Sequence, residues 1–418
     1  MEKQKSLMTV APLFLVLFID GMGLSLLFPV LNSIIIDPHS DFLPSSMGLG
    51  MRDLLYGFTI GIFMICWFFG AAILGDLSDS TGRKKALLIC LLGAFFGYIL
   101  SAVAVVEHSL TFLIIGRVIA GFTAGSQPIA QAAIVDISPP ERKARNIGFI
   151  LLSLCLGFVV GPITGGFLSD NSFVSWFSFS TPLYFAAIIS LLNAIFLWFV
   201  FKETFYRTEK IKIQFTRAIH IFISAFKHHR IRKLSIVFFI MILGWSNFFT
   251  FISMFALERY HFSPLRVSLL LAVLGVGFSI GCGFLVDYFV NRFYMKWIIV
   301  FSLFIVAFCM WLVIRIYDST PLWILMLPIG TGIALAYSAL VTLFSNQVNE
   351  NEQGWVMGVS GSIMALCFGI SSLLTGYLAH FGVNLPIYLA TIGIAVSAMG
   401  MLIIPRNAIE PDQQFISY

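Results

Sequence analysis

Charge is scarce in this sequence. Of its 418 residues only 11% are Asp, Glu, Lys or Arg, while 59% are hydrophobic and the mean hydropathy is +0.95. A solvated, disordered chain needs the opposite balance, and a water-soluble domain of this length could not hide so much apolar surface. Cysteine is sparse as well: Cys66, Cys90, Cys155, Cys282, Cys309 and Cys367 all lie inside apolar stretches without C-x-x-C spacing. That argues against a disulfide framework or a cysteine metal site and leaves them as small packing residues. The seven histidines are scattered, and no Ser/His/Asp or metal-ligand cluster is visible. No catalytic residue, metal ligand or cofactor is therefore expected, and an enzyme is the least favoured class. Strict polar/apolar alternation over about ten residues, the mark of a membrane barrel strand, is missing too.

What the sequence does have is long apolar runs. A membrane helix needs roughly 20 apolar residues, and twelve runs of that kind occur near residues 10–34, 54–76, 86–106, 110–137, 146–169, 181–201, 234–258, 266–290, 297–317, 321–345, 354–380 and 384–404. The expected fold class is all-α, a polytopic membrane protein of twelve transmembrane helices. The first run is long, carries Asp20 and lacks a small-residue cleavage site, so it is expected to remain as the first span rather than be removed as a signal peptide.

Basic residues set the orientation. With the N-terminus inside, 20 of the 25 Lys and Arg fall in cytoplasmic segments, and only Arg52, Arg259, Arg266 and Arg315 fall on the other side. The positive-inside rule then places both termini in the cytoplasm. The net charge of +5 is accounted for by this asymmetry, and nucleic-acid binding is not needed to explain it. One cation, Arg117, belongs to neither surface.

The longest polar interruption, residues 202–233, separates six spans from six. The expected organisation is an N-terminal six-helix bundle (1–201), a basic cytoplasmic linker (202–233) and a C-terminal six-helix bundle with a short tail (234–418). Within the linker, "FTRAIHIFISAFKHH" mixes apolar residues with Arg217, His220, Lys227 and His228, a pattern suited to a helix lying on the membrane surface. The halves also echo one another. Gly75-x-Leu77-x-Asp79 returns 208 residues later as Gly283-x-Leu285-x-Asp287, and Gly148 and Gly166 return 210 residues later as Gly358 and Gly376. Repeats offset by half the chain argue for two pseudo-symmetric bundles.

Between the second and third runs stands "GDLSDSTGRKK", residues 75–85. Its glycines are too far apart for a phosphate-binding loop of the Walker type, and Lys84 is followed by Lys85 rather than by Ser or Thr. A loop that only sets topology would explain Arg83, Lys84 and Lys85 but not Asp76, Asp79 or the glycines. The string G-x-L-x-D-x-x-G-R-K-x resembles the signature loop of the major facilitator superfamily, with Gly75, Leu77, Asp79, Gly82, Arg83 and Lys84 all matching. The resemblance implies a cytoplasmic gating contact between the bundles, with the aspartate facing a helix N-terminus, where a carboxylate is favoured, and Gly75 allowing close helix approach. Asp136 and Arg142, flanking "DISPPERKAR", are similar in type to the family's partner charges.

Two buried charges stand out. A cation near the middle of a span costs about 2.5 to 3.5 kcal/mol on insertion scales, so Arg117 in "RVIAGFTAG" should have a counter-ion. Asp20 is the one carboxylate deep in any span. At roughly 1.5 Å per residue the two should differ in height by about 5 Å, so an Asp20–Arg117 ion pair is expected, with a structural salt bridge as the bland alternative to a proton-coupling role.

The fifth run carries "GFVVGPITGG", with Gly157, Gly161, Pro162, Gly165 and Gly166. The spacing permits tight helix contact, and the interior proline should kink the helix. The full G-x-x-x-G-P-x-x-G-G string resembles the antiporter motif of twelve-helix drug:proton exporters, and the second half retains only Gly376 of it. "FIDGMGLSLLFPVL" is similar to the first helix of tetracycline exporters at Asp20, Gly23, Pro29, Val30 and Leu31. The ninth run lacks the deep acid of those exporters, and no counterpart of their helix-8 histidine is found.

Together these resemblances imply proton-coupled efflux of a small organic molecule by alternating access, powered by the proton gradient. Gln131, Trp245, Asn247 and Tyr337 are candidate cavity residues, although each residue type equally serves helix packing. The expected partners are membrane lipid, a small-molecule substrate and protons. The expected unit is a monomer in a bacterial inner membrane. The alternatives are an importer or facilitator of an organic acid, siderophore or other nutrient, with Arg117 binding a substrate carboxylate, and a non-transporting receptor on the same fold.

Overall fold

A bilayer offers no water to backbone N–H and C=O groups, so apolar runs of this length satisfy them internally as helices. The computed structural model describes residues 2–137, 140–204, 216–349, 352–379 and 381–409. It is all-α, with no strand among the described residues. In chain order the helices are α1 (Glu2–Leu31), α2 (Leu49–Thr81), α3 (Arg83–Val106), α4 (Leu110–Thr123), α5 (Ser126–Ile137), α6 (Pro140–Leu168), α7 (Thr181–Val200), α8 (Arg217–Lys227), α9 (Arg232–Tyr260), α10 (Pro264–Ile280), α11 (Val286–Val290), α12 (Met295–Arg315), α13 (Thr320–Asn346), α14 (Gln353–Ala379) and α15 (Leu385–Ile403).

Among the described residues, eleven helical segments are long and apolar enough to cross a membrane, and a shorter apolar stretch, Leu152–Leu168, lies in α6. Three of the expected runs are not regular helices. The first closes in a π turn at Asn32–Ile36, the eighth is interrupted by a π turn at Gly281–Leu285, and the fourth breaks into α4 and α5. The amphipathic segment of the linker forms α8.

The chain divides into two compact units, Met1–Ala218 with Phe262–Ala272, and Ile219–His261 with Val273–Tyr418. In the first unit α1 packs along α6 and also meets α5 and α7, while α3 lies between α4 and α7, and α2 rests on α4. Leu13, Val16 and Leu17 of α1, Leu87, Cys90 and Leu91 of α3, Ile129, Ala133 and Ile134 of α5 and Leu197 of α7 close into one fully buried apolar cluster. In the second unit α9 packs on α14 and α15, and α12 on α13 and α15. Buried hydroxyls bridge these helices: Ser246 and Ser371 share a 2.7 Å hydrogen bond, and Ser397 donates to the Val237 carbonyl at 2.9 Å. Lys296 donates to the Leu402 and Ile404 carbonyls at 3.0 and 2.7 Å, placing a cation at the carbonyl end of α15, where the helix dipole favours it.

Candidate functional site

The fourth run contains Pro128, which has no N–H to offer the carbonyl four residues back, at Ala124. The helix breaks there. The Ala124 N–H still bonds to the Ala120 and Gly121 carbonyls at 2.9 and 3.2 Å, which closes α4. Gly125 is pressed against the α2 backbone, where a Cβ would come within 2.7 Å of Ala71 and 2.8 Å of Gly70. The break therefore sits at a contact that no larger residue could make. It swings the start of α5 toward α1, and the Ser126 hydroxyl, fully buried, donates to Asp20 Oδ2.

Asp20 and Arg117 are not joined as expected. α4, which carries Arg117, packs on α2 and α3, while α1 is met by α5. Counting heights along the helices left this lateral separation out. Arg117 is 2% exposed, its guanidinium stacks 4.1 Å from the Phe63 ring centre, and its Nε and Nη1 are buried without a hydrogen-bond partner. Tyr98 of α3 lies within electrostatic range of both charges and crosses α1 at Gly23, where a side chain would collide with its hydroxyl.

The glycine string of α6 faces the same stretch of α1. Cβ atoms at Gly157, Gly161 and Gly165 would strike the α1 backbone near Phe18, Met22 and Leu26, and one at Gly21 would strike α6 at Leu154. Ser25 adds a hydrogen bond to the Gly157 carbonyl at 3.3 Å. Gly166 instead faces Ser268, and Pro162 lies inside α6. The motif thus fixes α1 backbone-to-backbone beside the residue that bears the carboxylate.

The expected loop at 75–85 is helical except at Gly82, which separates α2 from α3 with φ +102°. Arg83 bonds to Asp79 at 2.5 Å, to Ser78 at 2.9 Å and to Asp136 at 3.4 Å, which brings three of the expected gating residues together. The side chain of Arg142 lies outside the described residues. Gly75 does not serve close packing here, since a Cβ there would meet nothing within 4 Å; the glycines at which α2 and α4 press on one another are Gly70 and Gly121. Two partners were missed from sequence. Glu203, just after α7, accepts the N–H groups of Arg83 at 2.8 Å and Lys84 at 3.1 Å, so a carboxylate caps the positive end of α3. Arg217 at the start of α8 pairs with the buried Asp76. The composition hinted at both, because each is a charge near the ends of apolar runs, but nothing in the spacing pairs residues more than a hundred positions apart.

Of the candidate cavity residues, Trp245 is 8% exposed, stacks with Phe248 and packs at a tilt against Phe249, and Asn247 donates to the Pro386 carbonyl at 2.8 Å. Tyr337 sits 5.8 Å from the Phe238 ring, and Gln131 is half-buried on α5.

Membrane-length helices in two units, with a carboxylate and a guanidinium inside one of them, define a polytopic transport protein. The family model described as Major Facilitator Superfamily matches residues 13–372, and the chain belongs to that family. It is a multi-pass secondary transporter. It is 30% identical over 360 residues to the tetracycline resistance protein, class C, of Escherichia coli, covering 83% of this chain and 84% of that one. It is 26% identical over 406 residues to the quinolone resistance protein NorA of Staphylococcus aureus (strain COL), covering 94% and 96%. The fold is similar to solved structures of the human organic anion transporter MFSD10 (TM-score 0.72, 19% identity, covering 95% and 99%) and of a D-xylose-proton symporter (TM-score 0.74, 17% identity, covering 96% and 98%).

Proposed function

We propose that the protein exports a small, drug-like organic molecule in exchange for protons, with Asp20 as the proton-carrying group. The observation that carries this reading is the partner of Asp20. A carboxylate locked to an arginine must break an ion pair to take up a proton. A serine hydroxyl, by contrast, donates to a carboxylate and accepts from a carboxylic acid, so Asp20 keeps its hydrogen bond in both protonation states. Relatives named for tetracycline and quinolone resistance support an outward direction and a drug-like substrate, and the glycine string of α6, pressed on α1 beside Asp20, ties the same region to helix movement. Asp79, Arg83 and Asp136 serve as the cytoplasmic gate. Of the four candidate cavity residues, substrate contact falls most readily to Gln131, since Trp245, Asn247 and Tyr337 each meet neighbouring side chains or backbone. The working unit is a monomer in a bacterial inner membrane, with both termini in the cytoplasm.

The test is proton movement in vesicles reconstituted with wild type or Asp20→Asn and challenged with tetracycline, a quinolone and lipophilic cations. Drug-evoked proton flux should occur in the wild type and vanish in the variant. A second reading draws on the two guanidinium nitrogens of Arg117 that have no hydrogen-bond partner, which suit a substrate carboxylate. In that case organic acids should move without proton flux, and Arg117→Gln should raise their KM while Asp20→Asn leaves transport intact.

A further inference from the structure

One corner of the second unit holds two cations that the proposed transport cycle does not use. Arg259 stands in the last turn of α9, Arg315 in the last turn of α12, and Asn384 opens α15; with Tyr317 and Tyr388 they line a cavity of about 480 Å³. A helix dipole favours a cation in its last turn, which accounts for each arginine but not for the space between them. Arg259 uses two of its five N–H groups, on Asn384 Oδ1 at 2.7 Å and on the Ile316 carbonyl at 3.0 Å, and so ties α9 to α15 and to the end of α12. Among the described residues, Arg315 meets the Trp311 ring, 5.4 Å from its centre, and no acceptor. Asn384 turns its side-chain carbonyl to Arg259 and leaves α15 without a side-chain cap, so the positive end of that helix adds to the two guanidinium groups. Asp318 is in electrostatic range of Tyr260, yet its Oδ1 accepts from the Thr320 N–H and hydroxyl at 3.1 and 3.3 Å, and neither it nor Glu258 lines the cavity.

Arg315 also ends an apolar stripe. Phe301, Phe304, Phe308 and Trp311 of α12 are exposed and follow one another at steps of three and four, which places them on one face, and the next step of four is Arg315. At 1.5 Å per residue the stripe from Phe301 to Arg315 runs about 21 Å, more than the roughly 15 Å depth of one leaflet. Exposed rings that lead to guanidinium groups and tyrosines match a lipid, its acyl chain along the rings and its headgroup among the donors.

We infer that this corner binds one phospholipid with an anionic headgroup, its phosphate held by Arg315 and the free N–H groups of Arg259. Paired guanidinium N–H groups fit phosphate oxygens in geometry and in charge. The class of headgroup follows from the same charges. A zwitterionic lipid would bring its own cation beside two guanidinium groups and the positive end of α15, whereas a glycerol headgroup brings none and its hydroxyls can meet Tyr317 and Tyr388. Because Arg259 already joins α9 to the ends of α12 and α15, an anion seated on it stiffens that corner.

The experiment uses the full-length protein in detergent, read by native mass spectrometry and thermal melting. The probes are dioctanoyl phosphatidylglycerol, dioctanoyl phosphatidylcholine, glycerol 1-phosphate and inorganic phosphate. Phosphatidylglycerol should bind as a single tight adduct and raise the melting temperature, and phosphatidylcholine should bind about tenfold more weakly, because it sets like charges side by side. Arg315→Gln should weaken phosphatidylglycerol binding about tenfold, the scale of one hydrogen bond to a charged group, and Phe308→Ala about fivefold through lost apolar contact. Arg266→Gln, which removes an exposed arginine outside this corner, should bind like wild type. Arg259→Gln should lose the adduct; should it not accumulate, because α9 is released from α15, Arg315→Glu on an exposed side chain must abolish binding. Equal affinity for the two lipids, or equal losses in Arg315→Gln and Arg266→Gln, overturns the site. Glycerol 1-phosphate or inorganic phosphate bound as tightly as the lipid, with Phe308→Ala unchanged, overturns a lipid as its occupant.

Discussion

Gly82 carries two constraints at once. Its φ of +102° lies where only glycine is comfortable, and a Cβ there would run into the Glu203 carboxylate that caps α3. Gly82→Ala should therefore cost about 1–3 kcal/mol in backbone strain and displace Glu203 from the N–H groups of Arg83 and Lys84. The expected outcome is a protein that inserts but melts earlier in detergent and transports slowly; wild-type melting and flux would contradict it. Asp79→Asn, which weakens the 2.5 Å pair with Arg83, should leave expression and insertion largely intact while greatly slowing transport, read as drug efflux from cells against protein level by immunoblot. Asp79, Gly82 and Arg83 were legible in sequence because their spacing is local. Glu203 was not, because its role depends on the end of α7 meeting the start of α3, 120 residues away. Asp20 and Arg117 were legible as singular buried charges, yet their partners were not, since the type of a residue tells what it needs and not which helix supplies it.

At the level of elements, the contact between α1 and α6 is set by small residues, and its sensitivity should follow the space at each glycine. A Cβ at Gly161 would meet Ser25 and lie 2.6 Å from the Met22 carbonyl, whereas one at Gly75 would meet nothing within 4 Å. Gly161→Ala should thus lower stability by about 1–3 kcal/mol, the range for overpacking, and slow transport at least tenfold, while Gly75→Ala should melt within about 0.5 kcal/mol of wild type. Thermal melts of the two purified variants side by side check this, and equal melting would sink the argument. The glycine string announced a tight helix contact, but its spacing could not say that α1 was the partner. The break between α4 and α5 had a signal in Pro128 and in the polar Ser126 and Gln127 before it, which a run judged by its length passes over. That break is what brings Ser126 rather than Arg117 to Asp20.

At the scale of the whole molecule, hydropathy carried the all-α, membrane-spanning architecture, because a bilayer leaves the backbone few choices. Repeats offset by half the chain led to the expectation of two six-helix bundles divided by a linker at 202–233, whereas the compact units group residues 262–272 with the first part of the chain, a grouping that depends on tertiary contacts and not on the order of spans. Orientation gives a direct expectation. A reporter fused after Arg406 should be active only in its cytoplasmic form, and a Cys introduced at Ser172, in the loop before α7, should react with a membrane-impermeant reagent added from outside; the reverse pattern would invert the topology. The central claim is that one buried carboxylate couples drug movement to protons. It is tested most directly by recording proton flux in reconstituted vesicles on addition of tetracycline or a quinolone, wild type beside Asp20→Asn. Flux in the wild type that disappears in the variant is the predicted result, and drug movement without proton flux, unchanged by the substitution, would contradict it.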